Sequence, residues 1–196
     1  ANVAFQYVSR GLVGKDLSSF VQSHYTKANN LTDRKSALTV VCGSSEIEPG
    51  VRREVLEDFF EKWKSEALVL DLWFSVQAQS SLYTIEDLKI LESHEKFDRK
   101  NPNRVRSLFS SFSMSNHLQF HSLDGSGYRY LGEAIAILDA SNPQLAARLS
   151  GPLTRWARYD KERQGLMTDV LGRIASEKGI SKDVFEIVSK SLDSVP

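Results

Sequence analysis

Apolar residues recur three and four positions apart along almost the whole chain, and that spacing decides the fold class. Val51, Val55, Phe59 and Trp63 fall four apart, which lines them up on one helical face. Val69, Leu72 and Val76 repeat the pattern on the next segment, and Tyr128, Leu131, Ile135 and Leu138 repeat it later. Val184, Val188 and Leu192 form the final stripe. No segment alternates apolar and polar residues as a half-buried strand would, and paired Gly-rich hairpin turns are absent. An all-α chain is expected.

Punctuation agrees with periodicity. Asn101-Pro102 and Asn142-Pro143 each put an Asn N-cap before a Pro at the first helical position. The Asn side chain accepts from free amides, and proline loses no hydrogen bond there. Thr84 with Asp87 and Ser181 are further cap candidates, while Gly43, Gly151 and Gly179 are natural stops. Gly151-Pro152 is expected to end or kink the helix carrying Arg148. The count comes to about ten to twelve short helices, and short connections make successive helices antiparallel neighbours. Periodicity leaves two architectures open, a bundle or a curved stack of helix pairs. No strict repeat of 33 to 47 residues is evident, which argues against a regular tetratricopeptide or ankyrin array. No linker divides the chain, so residues 1–196 read as one domain.

Composition narrows the function. Lys+Arg and Asp+Glu both number 25 among 196 residues, and this balance argues against a general nucleic-acid binder. A single cysteine, Cys42, excludes an internal disulfide; beside Leu38, Val40 and Val41 it reads as a packed thiol. No run of about 18 apolar residues is present, so no membrane partner is expected. The first residues, ANVAFQYVSRGL, lack the basic lead and apolar centre of a signal peptide. They begin mid-pattern, as if continuing a longer protein. A cytoplasmic location is expected.

The chemistry-bearing residues do not assemble into a catalytic set. His117 and His121 stand four apart, as two zinc ligands on a helix would. The zincin signature needs a Glu after the first His, and Leu118 occupies that place. Asp124-Gly125-Ser126-Gly127 lacks the Lys of a phosphate loop and reads instead as a turn. There, Asp124 or Ser126 caps the helix that starts near Tyr128. No Ser/His/Asp or Cys/His triad can be put together. Arginines are more telling. Arg104 and Arg106 follow the first Asn-Pro cap; Arg148, Arg155 and Arg158 follow the second. A cleft lined with guanidiniums would take an anion such as a peptide C-terminus. Spacing alone favours the other reading, in which they pair with local Asp and Glu. Trp63, Trp73, Trp156, Phe109 and Phe112 read as core.

The same stretch carries a family resemblance. NPNRVRSLFSSF, the Phe120-His121 pair, DGSGY, ASNPQLAARL, and LTRWARYD with Arg163-Gln164 resemble the C-terminal domain of M1-family aminopeptidases, in the branch typified by bacterial aminopeptidase N. Upstream, KANNLTDRKSAL and DFFEKWKSEALVLDLWFSVQA resemble further segments of that family. Residues 1–12 match least clearly.

The resemblance implies an irregular superhelical stack, or solenoid, of antiparallel helix pairs. In the family this stack closes the active site of a zinc-dependent catalytic domain into a chamber. The family's HExxH and GxMEN motifs do not occur here. No cofactor is therefore expected in this chain; the zinc would belong to a catalytic domain of the same polypeptide, the implied partner. A peptide is the implied substrate. By the same resemblance, Gln144 and Arg148 correspond to chamber-lining residues near the substrate's first side chain, and Arg106 to another that faces the chamber. His117, Leu118 and Trp156 depart from the usual family residues. The alternative is a free-standing helical scaffold for protein partners; an independent helical hydrolase would need a catalytic set that is not evident.

Overall fold

In the computed structural model, which describes residues 2–194, every regular element is helical. The chain divides into two compact units, Ala1–Tyr83 and Thr84–Pro196.

The first unit holds α1 (Asn2–Arg10), α2 (Gly14–Lys27), α3 (Leu31–Gly43), α4 (Pro49–Trp63) and α5 (Ala67–Ala78). Helix α3 is the hub: α1, α2, α4 and α5 all pack on it. It earns that position by burying Ala37, Leu38, Val41 and Cys42, each at most 1% exposed. The Asn30 side chain caps its start through the Asp33 amide, at 2.9 Å. Cys42 is a packed thiol; burial pushes its pKa up to about 12. Such a thiol is protonated at neutral pH and chemically inert.

The second unit opens with α6 (Ile85–Glu92), whose Thr84 and Asp87 form a reciprocal capping box. A helical run then spans residues 102 to 115. It comprises α7 (Pro102–Val105), a π-helical turn (Arg106–Ser110) and α8 (Ser111–Ser115). After α9 (His117–Phe120) comes α10 (Ser126–Asp139), the most buried helix of the unit. Tyr128, Leu131 and Ile135 are fully buried and Leu138 nearly so. Helix α11 (Pro143–Leu149) and α12 (Lys161–Ser176) pack on α10, and α13 (Lys182–Asp193) packs on both α11 and α12. A 3-10 turn (Leu153–Arg158) between α11 and α12 rests on α12 and α13.

The turn before α10 shows why DGSG stands there. Gly125 has φ of 69°, a left-handed conformation that costs a residue with a Cβ. At Gly127 a Cβ would come within 2.5 Å of the Phe120 carbonyl oxygen and 2.7 Å of the Gln119 carbonyl oxygen. Only a bare backbone lets α10 begin that close to α9. The N-cap residue is Gly125, with no side-chain cap of its own; of Asp124 and Ser126, Asp124 is the one that reaches a free amide of the helix. Its Oδ1 accepts from the Ser126 amide at 2.9 Å and from the Ser126 hydroxyl at 2.7 Å. Those bonds hold the Asp124 carboxyl below its ordinary pKa.

Candidate functional site

Helix α11 is built so that one narrow face reaches solvent. The Asn142 side chain accepts from the Leu145 amide at 3.1 Å, and Pro143 occupies the first turn. Leu145, Ala146, Ala147 and Leu149 turn inward, all 6% exposed or less. Gln144 and Arg148, four residues apart, remain exposed on the opposite face. Their spacing of four residues puts them on one face of the helix. The Arg148 guanidinium makes no ion pair or hydrogen bond with any described residue, and neither do those of Arg155 and Arg158. The local pairing favoured by spacing alone is not formed. Spacing along one chain cannot say which carboxylates tertiary packing brings near.

The arginines after the first Asn-Pro cap divide. Arg104 is 4% exposed and donates to the Lys96 carbonyl, a structural bond that anchors the preceding loop. Arg106 is exposed, and its guanidinium donates to Asn103 Oδ1 at 3.1 Å. It opens the π-helical turn. No hydrogen bond or ion pair joins Arg106 to Gln144 or Arg148, and only the α11 pair shares an element.

A second cluster surrounds His121. Its Nδ1 lies 2.8 Å from the Tyr128 hydroxyl, and its ring centre lies 4.5 Å from that of Tyr159. Arg163 Nε donates to the His121 carbonyl at 3.0 Å while its NH1 pairs with Asp160 at 2.7 Å. Burial, then the neighbouring His117 and Arg163, push the His121 pKa down to about 4. A neutral imidazole at physiological pH is a hydrogen-bond partner for Tyr128, not a cation. His117 and His121 lie with near-parallel rings 6.1 Å apart. Among the described residues no three His, Cys, Asp or Glu side chains converge as a metal-binding set. The sequence missed this cluster because the pairing of His121 with Tyr128 depends on the tight α9–α10 turn. The adjacency of FH and DGSGY was its only available signal.

A family model, "Domain of unknown function (DUF3458_C) ARM repeats", matches residues 1–193. The chain belongs to this family. Armadillo-type repeats stack helices into a superhelix, so the DUF3458_C match bears out the expected all-helical solenoid. The likeness to bacterial aminopeptidase N is borne out as well. The chain is 41% identical over 192 residues to aminopeptidase N of Haemophilus influenzae, covering 97% of this chain and 21% of that protein. It is 37% identical over 173 residues to aminopeptidase N of Escherichia coli, covering 88% and 20%. Among solved structures it is similar to Legionella pneumophila aminopeptidase A in complex with aspartic acid. That match has a TM-score of 0.84 and 35% identity, and covers 92% of this chain and 21% of the other. This DUF3458_C chain thus spans about a fifth of the length of the relatives it matches. No helix among the described residues is long and apolar enough to cross a membrane.

Proposed function

We propose that residues 1–196 form the C-terminal domain of a zinc-dependent aminopeptidase of the aminopeptidase N type. In this reading the domain closes and lines the chamber in which the parent enzyme removes N-terminal amino acids from peptides. The observation that carries it is the α11 face. Gln144 and Arg148 stand side by side, exposed and with Arg148 unpaired, in a chain 41% identical to aminopeptidase N. An arginine with no side-chain partner among the described residues is available for one outside them.

The domain contributes position and exclusion. A closed chamber admits small peptides and keeps out folded proteins. It also removes water from around the charges that hold the substrate, which strengthens each of them. Gln144 offers an amide donor and acceptor, and Arg148 a planar fork for a carboxylate or carbonyl. Arg106 is a third lining residue, steadied by Asn103. Zinc, when bound, would supply the activated water, and the catalytic domain of the same polypeptide would hold it. Among the described residues of this chain no zinc-holding set of His, Cys, Asp or Glu converges. The parent enzyme is assigned to the cytoplasm on the same reading.

The test is kinetic. In the full-length protein, Arg148→Ala should lower kcat/KM for a tripeptide by about 10- to 100-fold, equivalent to about 1.4–2.8 kcal/mol of lost transition-state binding. Folding stability should move by less than about 0.5 kcal/mol, because the side chain is exposed and unpaired. Unchanged tripeptide kinetics would refute the lining role.

A further inference from the structure

Between Ala140 and Tyr159 the chain carries three arginines and no acidic residue, although the whole protein has no formal net charge. Two of the three, Arg155 and Arg158, lie on the 3-10 turn. In a 3-10 helix there are three residues per turn, so side chains at i and i+3 eclipse one another. The six residues LTRWAR exploit that period twice. Leu153 and Trp156 eclipse on the inner side, fully buried and 8% exposed. Arg155 and Arg158 eclipse on the outer side, both exposed. An α-helix would have rotated them about 60° apart.

The turn is held at several points. Trp156 Nε1 donates to the Ser191 hydroxyl at 3.2 Å and to the Ser191 carbonyl at 3.3 Å on α13. Gln164 Nε2 donates to the Tyr159 carbonyl at 2.8 Å and to the Ala157 carbonyl at 3.4 Å. The Thr154 hydroxyl donates to the Gly151 carbonyl at 2.9 Å. Two like charges therefore stand on one side of a fixed platform with no carboxylate among the described residues paired to either. Such a pair is preorganised for an anion, and two forked guanidiniums match a carboxylate.

We infer that Arg155 and Arg158 form an anchor for a carboxylate of the peptide substrate, separate from the Gln144–Arg148 face. This rests on the proposed function, because it takes peptides as the ligand. It adds a preference that the α11 face does not provide: peptides bearing a free carboxylate bind more tightly than their neutral counterparts.

The test uses the full-length protein and two substrate pairs. Leucyl-diglycine against its C-terminal amide reports a terminal carboxylate. The amides of leucyl-glycyl-aspartate and leucyl-glycyl-asparagine report a side-chain carboxylate. In at least one pair the acid should have the lower KM. The double variant Arg155→Gln/Arg158→Gln should raise that KM about tenfold, as expected for the loss of charge-assisted hydrogen bonds, and leave the neutral partner unchanged. A double lysine variant keeps the charge but not the fork, and should fall between. The pair that discriminates identifies the source of the carboxylate. Equal effects on acid and neutral substrate in both pairs, or no effect in either, would overturn the anchor. Arg148→Ala run in parallel separates the two claims. If it slows turnover while the double variant discriminates nothing, the anchor fails and the chamber reading stands. If neither variant changes any parameter, both fail.

Discussion

The molecule holds two kinds of arginine, those bonded to its own backbone and those that are not. In the first unit, Arg52 donates to the Val41 carbonyl at 2.9 Å and to the Ser44 carbonyl at 2.6 Å. It thereby satisfies acceptors at the open end of α3. Arg34 does the same for the Ala28 carbonyl, through Nε at 3.2 Å and NH2 at 3.0 Å. Both side chains are half-buried. In the second unit, Arg148, Arg155 and Arg158 are exposed and make no such bond. A guanidinium spent on its own backbone serves the fold. One held on a buried-backed helix or turn with nothing to bind is a candidate for a ligand.

The comparison assumes that the free arginines stand on a framework as exacting as the one Arg52 supports. The turn at the start of α10 tests this with the largest effect. Gly127→Ala forces a Cβ against two backbone carbonyls. It should cost about 3 kcal/mol or more in urea unfolding, since backbone there has nowhere to move. A loss below 1 kcal/mol would mean the second unit is loosely built. Next comes Arg52→Ala, which strands two carbonyls that had charged donors. A loss of about 2 kcal/mol is expected.

His121 gives a smaller effect that depends on pH. Its pKa is about 4 when folded, against an ordinary 6.5, so the unfolded chain binds more protons between those values. Stability is fully present above about pH 6.5 and declines as pH falls toward 4. The imidazole is only partly buried, so solvent screening should reduce the drop to about 1 kcal/mol. Chemical denaturation at pH 7 and pH 5, compared with His121→Asn, isolates it. Arg155→Ala should have the smallest effect on folding, within about 0.5 kcal/mol. If it destabilised as much as Arg52→Ala, the contrast between the two kinds of arginine would be lost.

Much of the framework was legible because caps are local. Asn101, Asn142, Thr84 with Asp87, and Ser181 each act within three residues, and each forms its expected bond. Stripes such as Tyr128, Leu131, Ile135 and Leu138 were legible because a buried face imposes one period. The π-helical turn at Arg106–Ser110 and the 3-10 turn at Leu153–Arg158 were not. Apolar spacings of three and four do not distinguish 3.0, 3.6 and longer periods over five or six residues. The shared face of Gln144 and Arg148 could be read from their spacing. That Arg148, Arg155 and Arg158 are unpaired could not, because pairing is decided by residues distant in sequence.

The central claim is that the α11 face meets substrate. The most direct measurement is a crystal structure of the full-length protein with a non-hydrolysable tripeptide in its active site. The account predicts the Arg148 guanidinium within about 3 Å of a peptide oxygen, with Gln144 beside it on the chamber wall. A peptide bound with Arg148 and Gln144 facing bulk solvent, away from the chamber, would contradict it.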